Sequence, residues 1–484
     1  MRVLSVTPEF FPLIKTGGLA DVAGALPLAL AHFGVETRTL LPAYPVVRDA
    51  LGNAEPVATL AELFGGEARL LLARTADDAE LLLLDAPHLY DRPGNPYLDP
   101  EGRDWPDNHR RFAALSRAAH LVGKGLLEGW VPDVVHGHDW QAGLAPAYLA
   151  LDGGPRPATV MTVHNLAFQG WVPPTALGEL GLPPESFSVY GVEYYGGIGM
   201  LKAGLYYADR LSTVSPTYAR EIQTPEHGMG LDGLLRTRAD SLVGITNGID
   251  TTVWDPARDP HLAARYDGDP FAAKAANKAA LQERLGLERR PETCLFCVVS
   301  RFTHQKGIDL ILETLPVLLG HDAQIAVLGS GEPALELAWA GVAGLHPDQV
   351  GYVSGYDEPL SHLMQGGADA ILVPSRFEPC GLTQLIGLRY GTVPVVSRVG
   401  GLADTVIDAN EAALADGVAT GIQFAPVTAP ALAEALNRTL ALFADKELWS
   451  AVVSRAMSRD VGWDRAARHY LALYRDACRA RDGG

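Results

Sequence analysis

The pentapeptide Gly-Gly-Leu-Ala-Asp occurs twice in this chain, at 17–21 near its start and at 400–404 near its end. Each copy follows an apolar strand-like run, Arg2-Val3-Leu4-Ser5-Val6 and Val393-Pro394-Val395-Val396-Ser397, and each opens a helical pattern. A glycine pair between strand and helix lets a ligand approach the backbone, and a helix N-terminus favours anions. One copy in each half predicts two facing α/β domains that grip one phosphate-bearing ligand. The same pattern also fits two ordinary strand-to-helix turns.

At 484 residues the chain is too long for one ordinary core, and two domains are the natural division. Hydrophobic content of 48% with 20% charged residues marks a globular protein rather than a disordered one. No apolar run reaches the roughly 18 residues a membrane helix needs. Met1 leads directly into a strand, without the charged and apolar regions of a signal peptide. The four cysteines, Cys294, Cys297, Cys380 and Cys478, are too few for a disulfide scaffold. A reducing cytoplasm is the expected location. A net charge of −18 argues against nucleic acid, whose binding rests on Lys and Arg neutralising phosphates. It leaves room for a small anion, because charges beyond about 8 Å are screened at physiological salt.

Strand and helix patterns alternate almost throughout, which predicts parallel sheets covered by helices on both faces. In the first half strands are expected at 3–6, 35–41, 81–84, 133–136, 159–163, 210–214 and 242–245, with helices at 21–33 and 108–127. In the second half strands are expected at 293–300, 324–328, 350–353, 370–373 and 393–397. Helices are expected at 308–319, 334–343, 359–365, 382–390 and 402–410. Asn-Gly and two Asp-Pro pairs place the domain boundary within 247–269. Residues 92–107 are rich in breakers and carry aromatics, which predicts a long loop, a candidate lid. The last forty or so residues read as helices packed through Trp449, Trp463, Tyr470 and Tyr474.

Two segments stand out for chemistry. Ser300-Arg301-Phe302-Thr303-His304-Gln305-Lys306-Gly307 joins a strand to a helix, so Arg301 and Lys306 sit at the carboxyl end of the sheet, where open α/β folds bind ligands. Two cations there suit a diphosphate, Arg forking two oxygens and Lys acting as a point charge. A solvated loop is the plainer account. Pro374-Ser375-Arg376-Phe377-Glu378-Pro379-Cys380-Gly381-Leu382 also joins a strand to a helix. Its Glu378 is suited to bind sugar hydroxyls or steady a developing positive charge; it is equally a helix-start acid favouring the dipole.

Together with Lys15-Thr16-Gly17-Gly18-Leu19-Ala20-Asp21, these segments resemble the signature motifs of bacterial glycogen synthases and plant starch synthases. His138-Asp139-Trp140, Val163-His164-Asn165, Asn247-Gly248-Ile249-Asp250 and the run from Arg398 to Thr405 match as well, in the family's order along the whole chain. The resemblance implies two Rossmann-like domains facing across a cleft, the GT-B glycosyltransferase architecture. The first domain would span 1–250 on the acceptor side and the second 251–455 on the nucleotide-sugar side. A C-terminal helix within 456–484 would cross back to the first.

The implied reaction is transfer of glucose from ADP-glucose to the non-reducing end of an α-1,4-glucan such as glycogen, with retention. The resemblance gives catalytic roles to Asp139, His164, Arg301, Lys306 and Glu378. It gives donor-binding roles to Lys15, Gly17, Gly18, Asp21, Asn247, Tyr356, Cys380, Gly381, Leu382, Gly400 and Gly401. No cofactor and no metal are expected, and neither a nucleic acid nor a membrane partner. The chain departs from the family's pattern at three places. Gln141 stands where His is common, Val399 where Thr is common, and Ile386 where related retaining transferases carry a second Glu.

Other readings of the same residues are weaker. His136 and His138 would face one side of a strand, but no further His or Asp cluster supplies the third ligand a catalytic zinc needs. Cys294 and Cys297 would point to opposite faces of a strand, which disfavours chelation or a redox pair. Cys380, at a helix start, is either a thiol of lowered pKa or a packing residue. A phosphorylase would need a pyridoxal-phosphate lysine in a longer chain, and an epimerase lacks the Lys15-Thr16-Gly17-Gly18-Leu19 opening. A non-catalytic glucan-binding protein would be expected to lose Lys15, Arg301, Lys306 or Glu378.

Overall fold

A computed structural model describes residues 1–52 and 54–483. Gly484, the last residue of the segment expected to carry the terminal helix, lies outside the described residues. The chain divides into two compact units: Met1–Asn247 together with the segment from Trp463 onward, and Gly248–Gly462.

The first unit contains strands β1 (Arg2–Val6), β2 (Glu36–Pro42), β3 (Glu55–Leu60), β4 (Ala68–Arg74), β5 (Glu80–Asp85), β6 (Val134–His138) and β7 (Ala158–Val163). It continues with β8 (Trp171–Val172), β9 (Glu193–Tyr194), β10 (Gly197–Gly199), β11 (Arg210–Thr213) and β12 (Leu242–Gly244). The main sheet has the order β12-β11-β7-β6-β1-β2-β5-β4-β3. It is parallel from β12 to β5 and ends in the antiparallel strands β4 and β3. That antiparallel edge is absent from the sequence reading. Glu55–Leu60 is mostly exposed and carries Pro56 at a register shift, so it shows no clean alternation. β8, β10 and β9 form a separate three-stranded sheet.

The second unit holds β13 (Leu295–Val299), β14 (Gln324–Gly329), β15 (Val350–Ser354), β16 (Ala370–Val373), β17 (Val393–Ser397) and β18 (Ile422–Phe424). They form one parallel sheet in the order β15-β14-β13-β16-β17-β18. The short β18 escaped the sequence pattern. The helix expected at 402–410 is only Gly400–Thr405, and the one expected at 108–127 is Asn108–Gly123.

Both sheets are covered on both faces, so their strands read as continuous apolar runs. Cys294 packs into one core layer of the second unit and Cys297 into another. Burial pushes both thiols up, which fits inert packing residues. The terminal helix Asp464–Asp482 covers one face of the first sheet. It is preceded by Trp463 and buries Ala466, Ala467, Tyr470, Leu473, Tyr474 and Ala477, spacings of three and four that make one stripe. That stripe packs on Val3, Val22, Leu26, Val134 and Val160. Each large side chain fully buried there contributes about 1.5–3 kcal/mol. Arg210 pairs with Asp476 at 2.5 Å and adds an ionic tie.

Candidate active site

In each unit the chain order reverses beside the first strand, between β1 and β6 and between β13 and β16. Open parallel sheets bind ligands beyond the carboxyl ends of the strands at such a switch point. The residues singled out by sequence gather there, in two clusters.

In the second unit the loop after β13 meets the loop after β16. Lys306 Nζ donates to Glu378 Oε2 at 2.6 Å, and Ser375 Oγ donates to the same oxygen at 2.8 Å. Glu378 is 6% exposed and Ser375 fully buried, so the carboxylate is fixed in place. Gln305 Nε2 donates to Phe377 O, and Arg376 N to Gln305 O. Arg376 forks the Asp309 carboxylate at 2.8 and 2.6 Å. Gly307 has φ +65°, and a Cβ there would lie 2.2 Å from Pro374 O. Only glycine permits this contact between the loops. Arg301 is exposed, and its side chain makes no hydrogen bond or ion pair among the described residues. Tyr356 follows β15 and is 71% exposed, with an open ring face. Cys380 is buried, and Leu382 is the residue before the helix Thr383–Tyr390. Gly381, at φ +75°, leaves room for Gln384.

In the first unit Lys15 Nζ donates to Asp21 Oδ1 at 2.8 Å and lies over the Phe11 ring. Asp139 directly follows β6 at φ +56°, an uncommon conformation for a residue with a Cβ. Its carboxylate accepts from His164 N at 2.7 Å and Asn165 N at 3.4 Å, and so fixes the turn after β7. Burial pushes the Asp139 carboxyl up to about 7, against the pull of those two N–H groups. His164 Nε2 meets His138 Nδ1 at 3.0 Å, and His138 Nε2 meets Ser5 Oγ at 3.1 Å. Burial pushes His138 down to about 3 and holds His164 well below its usual value. Both imidazoles are therefore neutral at pH 7. His136 shares its face with His138 but bonds Tyr474 Oη and Thr162 Oγ1. Asn247 follows β12 and is buried, and its Oδ1 has no hydrogen-bond partner. Among the described residues no group of three His, Cys, Asp or Glu is placed to hold a metal ion.

The two glycine pairs are not equivalent. A Cβ on Gly17 would meet nothing within 4 Å, so space lies open at that α-carbon. A Cβ on Gly400 would lie 1.9 Å from Glu378 O, and one on Gly401 2.2 Å from Cys380 O. Gly401 N also donates to Glu378 O at 3.0 Å. The second pair therefore lets its own chain approach and supports the Glu378 turn.

Sequence reasoning missed Glu9. This residue is 2% exposed, and its carboxylate collects four donors. Thr16 Oγ1 reaches it at 2.6 Å and Gly17 N at 3.3 Å, and Thr16 N and Tyr97 Oη also donate to it. Glu9 thus fixes the Lys15–Gly17–Gly18 turn and ties it to the 92–107 loop. That loop is anchored, with Arg92 forking Asp107 at 2.6 Å on both arms. The available signal was an acid inside the otherwise apolar run Pro8-Glu9-Phe10-Phe11. Of the three departures, Ile386 is buried among Leu385, Leu388 and Tyr390. Gln141 is buried with its Oε1 unpartnered, and Val399 precedes the helix Gly400–Thr405.

Two parallel α/β units, with clustered cations and a fixed carboxylate at one switch point, define a glycosyltransferase of the GT-B class. Residues 2–237 match the family described as starch synthase catalytic domain, and 282–448 match glycosyl transferases group 1. A glycogen synthase of Rhodopseudomonas palustris is 60% identical over 99% of this chain and 98% of its own. One from Acidiphilium cryptum is 58% identical over 98% of this chain and 99% of its own. The starch synthase IV catalytic domain of Arabidopsis thaliana, solved with ADP and acarbose, superposes with a TM-score of 0.87 at 30% identity and covers 99% of both chains. The chain belongs to the glycogen synthase and starch synthase family.

Proposed function

We propose that this chain lengthens an α-1,4-glucan by moving glucose from ADP-glucose to the 4-hydroxyl at the glucan's non-reducing end, with retention. The reading is carried by the 2.6 Å pairing of Lys306 with Glu378, beside the exposed Arg301 on the same loop. It is supported by family membership and by the likeness to a starch synthase bound to ADP.

In this reading the donor's diphosphate takes Lys306 from Glu378 and is forked by Arg301. Both cations neutralise it as it leaves. Glu378, held by Ser375, then contacts the glucosyl unit. The acceptor oxygen bonds to the anomeric carbon as the bond from that carbon to the diphosphate breaks. The acceptor proton passes to the departing phosphate oxygen, giving ADP and a glucan one glucose longer. Attack from the face the diphosphate leaves accounts for retention with one carboxylate, unlike the paired carboxylates of glycosidases. Neutral His164 hydrogen-bonds a sugar hydroxyl, positioned by His138 and by the Asp139 carboxylate. Lys15, Gly17 and Gly18, with Asp21 orienting Lys15, serve the donor from the first unit along with Asn247. Tyr356 offers its face to adenine, and Cys380, Gly381 and Leu382 shape the turn beside the donor.

No metal is required, because Lys15, Arg301 and Lys306 supply the positive charge. Neither nucleic acid nor membrane is a partner, and the location is cytoplasmic; among the described residues no helix is long and apolar enough to cross a membrane. The test is product analysis. The enzyme is incubated with ADP-glucose and a maltooligosaccharide of defined length. Products longer by single glucose units, fully digested by an α-1,4-specific exohydrolase, are expected. Free glucose alone, or products resistant to that hydrolase, would defeat the proposal.

A further inference from the structure

We propose that the first unit holds a second small-molecule site, which takes a small oxyanion of the phosphate class. A cavity of about 320 Å³ lies between the turn 90–95 and the start of the helix Pro45–Ala50. Its lining includes Ile14, Tyr44, Tyr90, Asp91, Asn95 and Arg111.

Two buried donors in that lining have nothing to bond. Tyr44 is 4% exposed, and its hydroxyl has no hydrogen-bond partner. Burial holds that hydroxyl protonated, so it is a donor. Arg111 is 1% exposed. Its Nε donates to Leu89 O and its Nη1 to Pro96 O and Asn108 Oδ1, all uncharged acceptors. Among the described residues Nη2 makes no hydrogen bond and no carboxylate is in ion-pair contact with Arg111; its guanidinium lies 5.7 Å from the Tyr90 ring centroid and 5.6 Å from that of Phe112, and it acts on Asp107 only through its field.

The other charges around the cavity are spent. Arg92 is forked by Asp107, and Asp91 pairs with Arg48 at 3.1 Å. What remains in the lining is one cation without a carboxylate partner and two donors without a protein acceptor. A buried charge without a counter-charge in contact is costly, and buried polar groups are ordinarily satisfied. A single oxyanion answers both deficits, since guanidinium and phosphate make strong charge-assisted bonds. A neutral sugar would satisfy the donors and leave the charge. The volume suits a phosphate with a small substituent and sits at the low end of small-molecule sites, roughly 300–1,000 Å³. Ile14 directly precedes Lys15, so an occupant would touch the turn that Glu9 fixes.

The test uses the full chain saturated with ADP, so that Arg301 and Lys306 are occupied. Crystals are soaked in selenate, a tetrahedral oxyanion with an anomalous signal. The expected peak lies within hydrogen-bond reach of Tyr44 Oη and Arg111 Nη2. In solution, inorganic phosphate should raise Tm in a concentration-dependent way. Tyr44→Phe breaks no existing bond and should leave the fold intact, while moving the phosphate midpoint at least ~10-fold higher. Arg111→Gln should abolish the response if it folds. An unchanged midpoint in Tyr44→Phe would overturn the proposal. So would the absence of a peak at the cavity, a peak without any solution effect, or stabilisation by maltose instead of phosphate.

Discussion

The Glu9 carboxylate collects Thr16 N, Thr16 Oγ1, Gly17 N and Tyr97 Oη, and the two substitutions that remove its charge should differ sharply. Glu9→Gln retains one oxygen for the two backbone N–H groups. Its amide NH₂ then faces two hydroxyls, and both of these can accept. All four contacts survive without charge assistance, a loss of about 1–2 kcal/mol in total, or roughly 5- to 30-fold. Glu9→Ala removes every contact. The two backbone bonds alone, at about 1.5 kcal/mol or more each, amount to ~3 kcal/mol of lost order in the turn, near 150-fold. Thr16 is exposed, so its freed N–H rehydrates and the fold should survive. Tyr97→Phe removes one contact and should be the mildest change. Initial rates at varied ADP-glucose, with Tm measured alongside, should rank kcat/KM as wild type, Tyr97→Phe, Glu9→Gln, then Glu9→Ala. A folded Glu9→Ala enzyme with wild-type kcat/KM would refute the claim that this carboxylate positions the Lys15–Gly18 turn.

Activity should survive exhaustive chelation, and full loss that one added divalent ion restores would overturn the metal-free reading. ADP-glucose should be favoured over UDP-glucose in kcat/KM, and Tyr356→Ala should weaken ADP-glucose more. Stacking on an aromatic ring is worth about 1–3 kcal/mol, so an unchanged donor ratio in the variant would remove Tyr356 from base recognition. Asp139 is pushed up to about 7 in the folded chain. The folded state therefore holds a proton that the unfolded state releases near pH 4, and stability should fall as pH rises from ~4 through ~7. Asp139→Asn should flatten that part of the Tm-against-pH curve, and an identical slope in both proteins would show that this carboxyl does not titrate there.

The parts of this site written as strand, loop and helix in sequence order were legible. Lys306 and Glu378 each follow an apolar run, and the sheet order alone brings them to one switch point. Glu9 was not legible, because Tyr97, one of its partners, lies 88 residues away and no periodic pattern joins them. His138 was visible as part of the His138-Asp139-Trp140 motif and as half of a candidate metal pair, but not as the partner of His164. Its role in fixing His164 depends on β6 and β7 being neighbours. The duplicated pentapeptide did not disclose that the backbone of the Glu378 turn packs against Gly400 and Gly401. The edge strands β3 and β4 were missed because an exposed strand carries a weak alternation signal.

The central claim is that the Lys306–Glu378 cluster performs glucosyl transfer. Its most direct test is the initial rate of glucose transfer from ADP-glucose to glycogen by wild-type, Lys306→Ala and Glu378→Ala proteins of matched Tm. Loss of one preorganised group of this kind costs ~10²–10³ in rate, and a fall of that size in both folded variants is the predicted result. A folded variant of either residue that retains a near-normal rate would contradict the account.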